Sequence, residues 1–203
     1  MPMPEATTMQ VDLVSLDEVV EACDLLARQI RESAFAPDFI IAIARGGFTP
    51  ARFLCDFLHV NALAAIRVKH YEAGARRTEE ARVTIPLAAD IRDARVLIVD
   101  DVNDSGDTLK VAIPHVAGFA PAALRTAVLH EKSNTIYSAD FRSAELKQWC
   151  WLLYPWAVVE DVGQFIREME PLPEDETQIR QQLQQQYGLQ LSSEQLERVL
   201  RFM

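Results

Sequence analysis

The chain has 203 residues, with 20 basic against 30 acidic side chains, a net charge of −10, and 49% hydrophobic residues. That composition is globular, and an acidic surface repels nucleic acid and anionic membranes, though a local site can still hold one phosphorylated small molecule. Three cysteines, Cys23, Cys55 and Cys150, are too few and too scattered for a disulfide framework or a paired-cysteine zinc site. The first residues lack a basic, apolar leader, and no apolar run approaches the ~20 residues of a membrane span, so a soluble, cytoplasmic protein is expected.

Ser15 and Glu18 form a capping box ahead of Val19, Val20, Cys23, Leu26, Ala27 and Ile30, which recur at helical spacing. Pro37 closes that unit, and Phe39–Ile43 reads as a strand buried on both faces. Ala44-Arg45-Gly46-Gly47 breaks it. Thr49 then caps a helix to about His59, with Pro50 at its first position. Residues 64–70 read as a strand and 71–80 as a polar loop. Residues 83–87 read as a strand that Pro86 confines to a sheet edge. Arg95–Val99 is the clearest buried strand, and a helix follows from about Gly106 to Ala117. Ala123–His130 and Trp151–Tyr154 complete the strands. Strand and helix in alternation predict an α/β domain with a parallel sheet.

Residues 160–176 carry seven acids against one base, Arg167, and read as a linker or solvated face. Two helices are expected beyond it. One carries Ile179, Leu183 and Tyr187 on one face and stops at Gly188. The other opens with a Ser192/Gln195 capping box before Leu196, Val199 and Leu200. Helices this short are marginal alone, so their stripes must pack on each other and on this chain's own domain or a second subunit.

The informative stretch runs from Val96 to Leu109, VLIVDDVNDSGDTL. A strand delivers Asp100 and Asp101 to the carboxyl edge of the sheet, where open α/β sheets bind ligands. A bare Asp-Asp would show only where a strand ends. Here Ser105, Gly106 and Thr108 open a helix whose free N–H groups form an anion site. Acids for diol hydroxyls or a hydrated metal, next to a phosphate cradle, suit a ribose 5-phosphate. No GxxxxGK[ST] loop exists.

Residues 96–109 resemble the PRPP-binding signature of type I phosphoribosyltransferases, in particular the branch acting on xanthine, guanine and hypoxanthine. The resemblance spans roughly residues 10–161. It implies a parallel sheet flanked by helices with a small hood over residues 1–161, leaving 162–203 as acidic linker and C-terminal helical appendage. It implies that Asp100 and Asp101 face the ribose hydroxyls and Mg2+, and that Asp104, Ser105, Gly106, Asp107 and Thr108 form the 5′-phosphate loop. Asp104 would also sit near N7 of the base and take up its proton. Asn103 departs from the signature, which usually has an aliphatic residue there, and a local hydrogen bond is expected in its place.

The resemblance places pyrophosphate on Arg45, Gly46 and Gly47, which alone could be a plain turn. It places Lys132 on the exocyclic O6 of a 6-oxopurine, although a lone loop lysine is commonly solvated. Trp151 matches the residue that stacks on the base, and Leu152 the one whose backbone meets its edge; packing in a core is the plainer role for such aromatics. Residues 71–80, with Arg76 and Arg77, resemble a loop that closes over PRPP. His59, His70 and His115 make no ligand spacing and read as structural.

The implied reaction moves the phosphoribosyl group from PRPP to a purine base with Mg2+, in a homo-oligomer, a dimer, with no nucleic acid or membrane partner. The alternatives are a PRPP- or nucleotide-binding regulator on the same fold, and a transferase for another base.

Overall fold

A parallel β-sheet organises the larger of two units, residues 17–148, in a computed structural model that describes residues 9–73 and 78–203. Its strands are β2 (Phe39–Ala44), β3 (Ala62–Ala73), β4 (Thr78–Ile85), β5 (Arg95–Asn103), β6 (Ala123–Lys132) and β7 (Phe141–Leu146). They lie in the order β4-β3-β2-β5-β6-β7, with β4 alone antiparallel to its neighbour. The α/β expectation holds, and the 83–87 segment, within β4 and just past it, marks the sheet edge as its proline required.

Helix α2 (Phe48–Leu58) carries the chain from β2 to β3, and α3 (Asp107–Ala117) carries it from β5 to β6. These crossovers leave the central β2/β5 pair in opposite directions. Right-handed connections therefore set the two helices on opposite faces and open a crevice at the carboxyl ends of β2 and β5. On the α3 face, Leu109, Ala112 and Val116 pack with Ile41, Ile43, Ile66, Val96, Ile98 and Val128. Helix α1 (Leu16–Glu32) begins directly after Ser15 and buries Val19, Cys23, Leu26, Ala27 and Ile30, the expected stripe.

Several boundaries differ from the sequence reading. Helix α2 is capped by Gly47, not Thr49, so Pro50 falls third in the helix. Proline is tolerated there because first-turn N–H groups have no intrahelical acceptor. Both ends of the polar 71–80 segment are strand: Tyr71 pairs with Glu80 and Ala73 with Thr78. Backbone pairing in a two-stranded ribbon needs no apolar alternation. Arg76 and Arg77 lie outside the described residues. Strands β5 and β6 both run past their expected ends, because they pair with each other through Asn103 and Glu131. Strand β7, a half-buried edge with no apolar run, carried no sequence signal.

The smaller unit joins both chain ends, residues up to 16 and 149–203. Strand β1 (Val11–Leu13) pairs in parallel with β8 (Trp151–Leu153). Helices α4 (Val158–Arg167), α5 (Glu176–Tyr187) and α6 (Ser193–Phe202) complete it. The acidic stretch is therefore no linker at its start. Val158, Val162, Phe165, Ile166 and Met169 are buried at helical spacing, while the acids occupy the other face. The two C-terminal stripes pack on α4 and β8 of the same chain: Ile179, Leu183, Leu196 and Val199 share one core with Val162, Phe165 and Leu153. The Gly188 stop, at φ 65°, and the Ser192/Gln195 capping box both form. The two compact units thus cut across the expected boundary at 161/162. Among the described residues no helix is long and apolar enough to cross a membrane.

Candidate active site

The crevice edge is built by two turns. After β2, the Gly47 N–H donates to Ile43 O at 2.9 Å, and the Ala44–Arg45 peptide is cis. Gly46 lies so close to Asp101 that a Cβ there would overlap its carboxylate. Gly47 is equally constrained by the backbone of Ile43 and Val99. Both glycines are thus required by close approach. Helix α2 starts at Gly47 with no side-chain cap, so no side chain competes for its first N–H groups.

After β5, Asp100 is buried and Asp101 half-buried. Burial, and then the neighbouring Asp101 charge, push the Asp100 carboxyl well above its usual range. Its oxygen accepts the Asp101 N–H at 3.0 Å, and Asp101 in turn accepts from the Val102 N–H at 2.8 Å. Two adjacent carboxylates, one already short of solvent, form an oxygen donor set suited to a hard divalent cation. Among the described residues no group of three ligating side chains converges, so waters and substrate oxygens would fill the shell, as Mg2+ prefers. The residues present fit that ion.

The Asp104–Thr108 loop turns at Gly106, φ 94°, which caps α3 without a side-chain bond. Ser105 Oγ donates to Asp107 at 2.7 Å and accepts the Asp107 N–H. Asp107 lies in the first turn of α3, beside the positive end of the helix dipole. His70 Nε2 lies 3.2 Å from Thr108 Oγ1, so a histidine read as structural touches the loop. His115 is structural, accepting the Leu87 N–H at 3.1 Å.

Lys132 is the last residue of β6 rather than a loop residue, and its side chain is only 5% exposed. Its ammonium donates to Asp104 Oδ2 at 2.6 Å. The fold therefore joins the expected O6 donor to the expected N7 acid. Asn103 hydrogen-bonds not locally but across the sheet, to Glu131 on β6. Sequence reading missed Glu131, which stands between His130 and Lys132 at the polar end of β6 and carried no signal of its own.

In the smaller unit, Trp151 and Trp149 are exposed, so neither is a core aromatic. The Trp151 indole N–H donates to Asp161 at 2.9 Å, fixing the ring, and Leu152 follows it on β8. Trp156 instead stacks on Tyr154, with centroids 4.9 Å apart.

Comparison with known proteins agrees with this geometry. The family model described as a phosphoribosyl transferase domain matches residues 12–153. A xanthine-guanine phosphoribosyltransferase of Chromohalobacter salexigens is 28% identical over 78% of this chain and 88% of its own length. The crystal structure of a purine phosphoribosyltransferase from Pyrococcus horikoshii superposes with a TM-score of 0.64 at 36% identity, covering 73% of this chain and 94% of that one. A Neisseria gonorrhoeae hypothetical protein with bound ppGpp gives a TM-score of 0.65 at 28% identity, over 73% of this chain and 89% of that one. With two turns meeting at the switch point of a parallel sheet and a family match over more than half its length, this chain belongs to the phosphoribosyltransferase family.

Proposed function

We propose that the protein transfers the 5-phosphoribosyl group of PRPP to a 6-oxopurine (xanthine, guanine or hypoxanthine), releasing pyrophosphate and forming the nucleoside 5′-monophosphate. The observation that carries this is the close approach of Gly46 to the Asp101 carboxylate at the carboxyl ends of β2 and β5, with the Gly106-capped helix following β5 directly. The purine relatives support the substrate class.

In this reading the N–H groups of residues 105–108 and the α3 N-terminus hold the 5′-phosphate. Asp100 and Asp101 orient the ribose hydroxyls and hold the cation. Bound there, Mg2+ supplies positive charge toward the departing pyrophosphate. Arg45, Gly46 and Gly47 bind that leaving group through a guanidinium fork and backbone N–H groups. Trp151 stacks on the purine, and the Leu152 backbone meets its edge. Lys132 has three donors, so it can keep Asp104 and still reach O6, which selects against the 6-amino group of adenine. As the C1–N bond forms, Asp104 accepts the proton leaving the ring. No covalent nucleophile is needed; positioning and charge stabilisation do the chemistry.

The test is a spectrophotometric assay of PRPP and Mg2+ with xanthine, guanine, hypoxanthine, adenine and uracil. Turnover confined to 6-oxopurines is expected; preference for adenine or uracil, or no turnover, overturns the reading. The ppGpp-bound relative favours a second reading, in which a guanine nucleotide binds this chain as a regulator. Adding ppGpp to the assay separates the two: tight binding without turnover makes the chain a sensor. The family resemblance also supports a cytoplasmic homodimer, which sedimentation tests.

A further inference from the structure

The phosphate loop is braced from behind by a network that ordinary members of the signature, with an aliphatic residue at position 103, cannot build. Asn103 and Glu131 face each other across β5 and β6, each only 3% exposed. Asn103 Nδ2 donates to Glu131 Oε2 at 2.8 Å and to Tyr137 O at 2.8 Å. The same Glu131 oxygen accepts the Ala139 N–H at 2.7 Å, and Arg142 pairs with the other at 3.4 Å. A buried polar pair normally costs stability unless its hydrogen bonds are made, and here two of them are made to one segment, residues 135–139.

That segment touches the phosphate loop directly. The Ile136 N–H donates to Ser105 O at 2.9 Å. The side of Gly106 that lacks a Cβ is filled by Tyr137 N and Thr135 Oγ1, which a Cβ would meet at 2.7 and 2.8 Å. Asn103 is thus bound to the segment at its root, and the segment is bound to the loop at Ser105 and Gly106.

We propose that Asn103 and Glu131 are positioning residues that fix residues 104–108 in their anion-receiving shape before PRPP arrives, by clamping the 135–139 segment behind them. The inference rests on the phosphoribosyltransferase reading for the ligand, but the clamp itself is a property of the free protein. A preformed loop binds without spending binding free energy on ordering itself.

The experiment compares wild type, Asn103→Leu and Glu131→Gln by amide hydrogen exchange without ligand and by PRPP kinetics. Leucine restores the family's apolar character and removes both bonds. Glutamine keeps an acceptor for Asn103 and Ala139. In Asn103→Leu, exchange at residues 104–108 and 135–139 should rise about tenfold over wild type while β2 and α2 stay protected. Its KM for PRPP should rise about tenfold with kcat and the KM for base little changed. Glu131→Gln should stay near wild type in both readouts. Unchanged loop exchange in Asn103→Leu, or an unchanged KM for PRPP, overturns the clamp. If Asn103→Leu fails to fold, Asn103→Ser, which opens space rather than filling it, is measured by the same two readouts. A wild-type chain that binds no PRPP would overturn the reading of function instead, and the exchange comparison would still decide the clamp.

Discussion

Lys132, nearly buried, donates to the half-exposed carboxylate of Asp104 at 2.6 Å. Two groups expected to meet neighbouring atoms on one edge of the base, O6 and N7, thus bear on one another. Asp104→Asn should lower turnover by roughly two to four orders of magnitude, the range for a lost acid/base group, with PRPP binding retained. Lys132→Ala should cost about 1–3 kcal/mol of discrimination between hypoxanthine and adenine. Because the pair is in contact, the double variant should lose less than the sum. Steady-state kinetics over the four proteins measures this; additive losses would mean the two act independently.

Gly46→Ala should weaken PRPP binding at least tenfold, because the new methyl collides with the Asp101 carboxylate and one of the two must move. Base affinity should stay the same. Calorimetric titration of PRPP with Mg2+ reads the change, and near-normal affinity would show that the 44–47 turn does not border the ligand.

Trp151→Ala should raise the KM for base by roughly 5- to 150-fold, the equivalent of about 1–3 kcal/mol of base stacking, with the KM for PRPP unaltered. Asp161→Asn should give a smaller shift in the same direction, since it weakens the hold on the indole N–H without removing the ring. Equal effects on both substrates would point to misfolding of the smaller unit.

Asp38, ahead of β2, accepts two hydrogen bonds from the side chain of Arg95 and one from its backbone N–H. The side-chain bonds chiefly, then the backbone N–H, lower its carboxyl to about 2. The unfolded chain takes up this proton near pH ~3.9. The pair's contribution is therefore whole above that pH and is lost as pH falls to about 2. Both side chains are about half exposed, so the effect is modest. Urea midpoints should show Asp38→Asn less stable than wild type at neutral pH, the gap closing across that window. A gap that persists below pH 2 would assign it to packing.

Ending the chain at Pro171 removes α5 and α6 and uncovers Val162, Phe165 and Ile166. The shortened protein should aggregate or lose helix in the smaller unit, and with it the β8 platform of Trp151. Circular dichroism and sedimentation would register the loss, and PRPP titration should show the larger unit still binding. A shortened chain that remains monodisperse and fully active would separate α5 and α6 from the base site.

The sequence made the carboxyl edge of the sheet legible because that edge is local. Residues 96–109 and 44–47 are continuous stretches in which strand, turn and helix start follow in order. What it hid depends on pairs distant along the chain. Asn103 and Glu131 become neighbours only through the β5–β6 register, and Asp161 meets Trp151 only once α4 forms. The 160–176 stretch misled because charge was counted along the chain, whereas the helix sorts its acids from Val162, Phe165 and Ile166 by angle. Residues 71–73 and 78–80 pair by backbone register, which needs no pattern in side-chain type.

The pairing of Val11 with Trp151 sets an order of assembly during synthesis. The two residues are 140 positions apart, and at about 5–20 residues per second the first waits roughly 7–28 s for the second. The larger unit has all its strands by residue 146, whereas the smaller one stays incomplete until α6 is made. A nascent chain would thus present the PRPP crevice before the proposed base platform, and a chain stalled after β7 would hold sugar phosphate with nothing to transfer it to.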